Sequence, residues 1–130
     1  MIAIRLLHKI LYDNQIRKET LLQIKRIGSV IGVKPEEIAE YERIHAQVWP
    51  GVLATLKRAN ISNYSIFRYQ NMLFSYMEYT GSDYEADMAL IASDPTTQDW
   101  WKLTAPMQNP VPEKLESEWW HVIPEAFHLA

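Results

Sequence analysis

Apolar and polar positions follow two different periods along this chain, and the changes between them mark its elements. From Arg26 the run RIGSVIGV carries β-branched and small residues up to Lys34-Pro35, which predicts a strand stopped by proline. Pro35 suits the first turn of a helix, with Glu36 and Glu37 at the positive end of its dipole. Ile38, Tyr41, Ile44, His45 and Val48 then follow at three- and four-residue steps, one face of a helix. Pro50 restarts a second helical piece with Val52, Leu53, Leu56 and Ala59, closing at Asn60. Asn63–Tyr69 and Met72–Tyr79 read as strands joined by the hairpin-length Gln70-Asn71. Ser82-Asp83 caps a helix containing Tyr84, Met88, Ile91 and Ala92, and Asp94-Pro95 opens another carrying Trp100, Trp101 and Leu103. Pro106, Pro110 and Pro112 predict an irregular loop, and Trp119–Leu129 a final strand. The order is strand, helices, strand, strand, helices, strand. This is an α+β class pattern, the split βαβ of ferredoxin-like folds, with helices on one face of an antiparallel sheet.

Such a sheet has a second face, and the strands are apolar on both. Tyr64, Ile66 and Arg68 fall on one side of their strand, Ser65, Phe67 and Tyr69 on the other. A sheet apolar on both sides is normally covered on both. For a chain this short the economical cover is a second copy, so a homodimer with facing sheets is expected.

The first 25 residues differ in kind. Residues 1–26 hold six basic and two acidic side chains, a net +4, while residues 27–130 hold seven basic and fourteen acidic, a net −7. Ile4, Leu7, Leu11, Leu21 and Leu22 give partial helical spacing. The basic, amphipathic stretch admits a targeting peptide, but its apolar runs are too short for a secretory core and no small-residue cleavage site follows. An interfacial membrane helix would need Trp or Phe anchors that the stretch lacks. Residues 1–25 therefore read as an N-terminal basic extension that packs or frays, and 26–130 as the domain.

Composition narrows the chemistry. One hundred and thirty residues make one domain, without cysteine, so thiolate zinc sites, disulfides and Cys nucleophiles are excluded. The absence of cysteine fits a reducing, cytoplasmic setting. A net charge of −3 argues against nucleic acid as a partner, and no apolar run reaches membrane-span length. The four glycines are scattered rather than gathered in a phosphate loop, and the four histidines lack metal-binding spacing. The aromatic bias is toward residues with a polar handle: five Trp and seven Tyr against three Phe.

Two features carry candidate chemistry. Within EYERIH, Tyr41 and His45 stand four residues apart on one side of the helix. His titrates near neutrality and suits general acid–base work, and Tyr both donates to and accepts from hydroxyl-rich ligands. The same spacing also fits a core tyrosine beside a histidine satisfied by a neighbour. Trp100 and Trp101 diverge by about 100° on a helix, so one packs inward while the other is free to line a cleft and stack on a sugar. A core residue beside a dimer contact fits equally. Trp49-Pro50 and Trp119-Trp120 read as packing.

The combination EYxxxHxxxWP, then NYSI, then DPTTQDWWKLTAPMQNP and the terminal AFHL resembles the L-rhamnose mutarotase family over Arg26–Leu129. The resemblance implies a dimeric α/β barrel of ferredoxin-like subunits, a monosaccharide substrate and no cofactor or metal. It implies isomerase chemistry, the exchange of α and β anomers by acid–base ring opening. The family's catalytic proton donor falls on His45, and its sugar-binding positions on Tyr41, Tyr64, Trp100 and Trp101. One departure is the EKLESEWWHVIPEAFHL ending, longer than in short family members. Two other classes share the architecture: a non-catalytic sugar-binding module, and a dimeric α+β barrel oxygenase or decyclase. Retention of His45 with both tyrosines favours the mutarotase.

Overall fold

The computed structural model describes the backbone of residues 2–22 and 24–130. Helix α1 (Ile2–Leu22) is followed by β1 (Lys25–Val33), α2 (Ile38–His45), α3 (Pro50–Arg58), β2 (Ile61–Tyr69) and β3 (Met72–Tyr79). Then come α4 (Tyr84–Ser93), α5 (Pro95–Thr104), β4 (Gln108–Asn109) and β5 (His121–Ile123). The capping chemistry behaves as expected: Asp83 accepts from the Ala86 amide and Asp94 from the Thr97 amide, while Pro95 opens α5. Side chains of residues 2–14 on α1 are exposed, its isoleucines and leucines included.

The sheet is antiparallel, ordered β2-β3-β1-β4, with β5 also on β1. That order, with the helices against one face, is the expected ferredoxin-like α+β fold, its sheet curled as a half-barrel. Burial alternates along β1: Ile27, Ser29, Ile31 and Val33 are buried. Ile31 and Val33 join Tyr41, Ile44, Val52, Leu73, Trp100 and Met107 in the main core. A second cluster of Ile27, Ala59, Ile61, Tyr79 and Ile91 lies toward the other end.

The final strand departs from expectation. The edge beside β1 is filled by two short pieces, β4 at Gly32–Val33 and β5 at Gly28–Val30, with an excursion between them. Pro110 and Pro112 lack the N–H that would continue the ladder after Asn109, and Pro124 ends β5 instead of Leu129. The loop expected around Pro106–Pro112 thus contains a paired segment, and Trp119-Trp120 lie in a bend rather than a strand. The β1–β4 approach is close: a Cβ on Gly32 would stand 2.6 Å from the Asn109 carbonyl oxygen, so only glycine fits.

A bulge in β2 sets which residues face the helices. Ser62 pairs with Glu78 and Ser65 with Tyr76, so Asn63 and Tyr64 together oppose Met77. Asn63 takes φ 46°, a left-handed conformation asparagine tolerates, and its side-chain amide donates to Glu78 at 3.0 Å. The extra residue reverses the alternation, and Tyr64, Ile66 and Arg68 share the helix-covered side. On the open side, Phe67 pairs with Phe74 and Phe74 with Val30, an apolar row across three strands.

Candidate active site

Helix α2 carries the two central groups. Its four-residue spacing stacks the Tyr41 and His45 rings at 4.0 Å between centroids, with 26° between planes. Tyr41 is buried and His45 half-buried. His45 Nδ1 lies 2.6 Å from the Tyr41 carbonyl oxygen. A carbonyl only accepts, so Nδ1 carries the hydrogen, and Nε2 makes no hydrogen bond among the described residues. Burial lowers the His45 pKa from its ordinary value of 6.5, opposed by the bond to the Tyr41 carbonyl. The ring therefore rests neutral at pH 7, with Nε2 ready to take a proton.

Aromatic packing fixes the ring from a second direction. Trp100 meets His45 edge-on at 5.2 Å, and Trp49 meets Trp100 in the same way at 5.2 Å. Trp100 is 6% exposed and belongs to the core, whereas Trp101, on the diverging side of α5, is 44% exposed. Trp101 does not line the cleft described next.

A cleft of about 140 Å³ opens beside these rings, lined by Tyr41, Glu42, His45, Ile66, Arg68 and Leu73. Arg68 and Glu42 form an ion pair across it, linking β2 to α2. Burial pushes the Tyr41 phenol up to about 12, with Gln108 opposing and Tyr64 reinforcing the shift. Tyr41 thus stays a protonated donor at neutral pH. Tyr64 leaves 41% of its surface open, yet desolvation also pushes its phenol up, and its charge is felt at Tyr41. Among the described residues no three His, Asp or Glu side chains gather as a metal site.

Of the residues read from the sequence, the structure brings Tyr41, His45 and Trp100 into direct contact and Tyr64 within electrostatic reach, and it leaves Trp101 apart. Glu42 and Arg68 line the cleft without having been singled out. Arg68 was legible only as the same-side neighbour of Tyr64 and Ile66, and Glu42 as one surface charge among several. Gln108 and Trp119 are further additions. The Gln108 amide nitrogen donates to the Tyr41 hydroxyl at 3.3 Å, and the Trp119 indole donates to Gln108 Oε1 at 2.8 Å. Trp119 is itself placed by a tight turn. Glu118 accepts from the Leu115 amide at 2.7 Å, the Val122 amide at 3.0 Å and His121 Nδ1 at 2.9 Å. These bonds, that from His121 first, hold its carboxyl down to about 2.

Comparison with known proteins agrees with the fold. A crystal structure of an L-rhamnose mutarotase from Formosa agariphila superposes with a TM-score of 0.65, covering 82% of this chain and 99% of the other; at 23% identity the likeness is one of fold. An L-rhamnose mutarotase of Oceanobacillus iheyensis is 36% identical over 88 residues, 66% of this chain and 82% of that protein. An L-fucose mutarotase of Xanthomonas campestris pv. campestris is 37% identical over 97 residues, 72% of this chain and 77% of that protein. The profile of L-rhamnose mutarotases matches residues 26–129, nearly all of the sheet together with helices α2 to α5, and the chain belongs to the L-rhamnose mutarotase family.

Proposed function

We propose that this protein interconverts the α and β anomers of a 6-deoxy-L-hexose, L-rhamnose first among them, with His45 as the proton-transferring group. The observation that carries the reading is the His45 ring itself: its Nδ1 is tied to the Tyr41 carbonyl and its Nε2 has no partner among the described residues, in a cleft walled by Tyr41, Ile66, Leu73 and the Glu42–Arg68 ion pair.

Opening a pyranose removes a proton from the anomeric hydroxyl, breaks the bond from the anomeric carbon to the ring oxygen, and delivers a proton to that oxygen. The product is the open aldehyde. Rotation about the adjoining carbon–carbon bond and the reverse transfers close the ring on the other face. Neutral His45 accepts at Nε2 and, once imidazolium, is the acid that returns the proton. Both oxygens are bonded to the same carbon, so one nitrogen serves both without travelling far. Tyr41, protonated at neutral pH, acts as a hydrogen-bond donor to the sugar and not as the base. Tyr64 holds a hydroxyl and Trp100 fixes the His45 ring, while Trp101 stands outside the lining of the cleft.

L-Fucose is the second reading of the substrate, favoured by the 37%-identical relative that bears its name. Saturation-transfer NMR of anomer exchange with L-rhamnose, L-fucose, D-mannose and D-glucose tests both. Faster exchange of L-rhamnose or L-fucose than in buffer is expected. Exchange unaltered for all four sugars overturns the enzyme, and binding without exchange would identify a sugar-binding module instead. The pH profile follows from the lowered His45 pKa. Because the resting ring must be neutral, kcat/KM should rise with pH through a midpoint below 6.5 and level off above it. A profile that falls across that range contradicts the assigned direction of transfer.

The acting unit is read as a cytoplasmic homodimer formed through the open sheet face. Phe67 and Tyr69 there are 65% and 68% exposed, and Phe67 forms a row with Phe74 and Val30. An apolar row spanning three strands is what an isologous sheet-to-sheet contact buries. Phe67→Glu should yield monomers by sedimentation or light scattering, at a cost to the subunit's own stability of only about 0.5 kcal/mol, since the position is exposed. A wild-type chain that already sediments as a monomer contradicts the pairing.

A further inference from the structure

We infer that Gln108 is a positioning residue, locked in one orientation by Trp119, that obliges the Tyr41 hydroxyl to spend its proton on the bound ligand. The inference rests on the reading of the cleft as a sugar site and adds two residues from outside the catalytic helix to it.

The orientation follows from what each group can do. An indole N–H donates and has no acceptor, so the Gln108 atom 2.8 Å from Trp119 Nε1 is the amide oxygen. The amide nitrogen then faces Tyr41 at 3.3 Å and donates to it. With one lone pair of the phenolic oxygen engaged in this way, its O–H is directed elsewhere. Among the described residues the Tyr41 hydroxyl makes no other hydrogen bond, and Tyr41 lines the cleft with its ring stacked on His45. A free amide in solvent would flip between its two faces and offer Tyr41 an acceptor half of the time. Gln108 is buried, and Trp119 is anchored by the Glu118 turn, so the flip is suppressed. A donor so fixed beside the imidazole suits the ring oxygen or a hydroxyl of the sugar as its acceptor.

Gln108→Glu is the most telling variant, being nearly isosteric. It keeps an acceptor for Trp119 but presents a second acceptor to Tyr41, which then turns its proton away from the ligand. Gln108→Leu removes both bonds, and Trp119→Phe removes only the lock. On anomer exchange, Gln108→Leu should lower kcat/KM about tenfold and Trp119→Phe about threefold. Neither should add a further loss in a Tyr41→Phe background, where there is no hydroxyl to orient. The Gln108→Glu rate, taken as a ratio to wild type, should recover as pH falls, because a protonated carboxyl donates to Tyr41 as the amide did. Losses equally large in the Tyr41→Phe background, or a pH-independent ratio, overturn the positioning role. Melting curves of each variant separate these outcomes from unfolding, and Trp119→Phe keeps the test open if Gln108→Leu fails to fold. A wild type that speeds no sugar's exchange overturns the proposed function, whereas an active wild type indifferent to Gln108 overturns this inference alone.

Discussion

His45→Ala is expected to lower kcat for anomer exchange by about 10²–10⁴-fold, the contribution typical of a positioned acid–base group. The loss should fall on kcat more than on sugar binding, because the walls of the cleft at Tyr41, Ile66, Arg68 and Leu73 remain. The fold should survive, since His45 is half-buried at the last position of α2 and alanine favours helix. Exchange of the saturated anomer resonance, measured at several sugar concentrations, separates kcat from KM. Full activity in His45→Ala would remove the histidine from the mechanism altogether. Because free sugar equilibrates slowly by itself, the residual rate must be compared with buffer alone.

Trp100→Ala should be strongly destabilising, with a loss of about 3–5 kcal/mol from the 5–15 kcal/mol typical of a domain. Trp100 lies in the main core with Ile31, Val33, Val52 and Leu73 and touches both His45 and Trp49 edge-on. Its removal leaves a cavity that rigid neighbours on β1 and β3 fill only in part. Trp101→Ala is the contrasting experiment. Exposed on the far side of α5, Trp101 should change stability by less than about 1 kcal/mol, and its loss should appear as a raised KM if its ring meets the sugar. Thermal melts of the two variants beside sugar titrations test both halves. Equal melting temperatures would contradict the division of labour between adjacent tryptophans.

The elements that sequence reading located best were those with strong local punctuation. Asp94-Pro95 opens α5 where expected, and Met72–Tyr79 is strand β3 at the expected boundaries. Tyr41 and His45 were legible because both lie on one helix, where spacing alone makes them neighbours. The split edge strand was not legible, since β4 is only Gln108–Asn109 and its pairing depends on β1 being already in place. Nor was the bulge at Asn63: the expected strand began there, so the reversal of alternation that aligns Tyr64 with Ile61's face lay just outside it. Gln108 and Arg68 reach the site from other elements, 67 residues from Tyr41 in one case, and no local pattern announces a contact of that range. Trp100 and Trp101 showed that one of them must turn inward, but only the packed structure shows which.

The bond from His45 Nδ1 to the Tyr41 carbonyl has a consequence for how this chemistry is inherited. Donor and acceptor are four residues apart, so one turn of helix sets the tautomer of the imidazole without help from any strand. On the proposed reading the proton-transferring group is set within one helix, whereas the facing walls of the cleft, Ile66, Arg68 and Leu73, come from β2 and β3. Drift in those walls retunes the ligand while the helix goes on working, so descendants of one ancestor can part company over which sugar they turn without reinventing how they turn it.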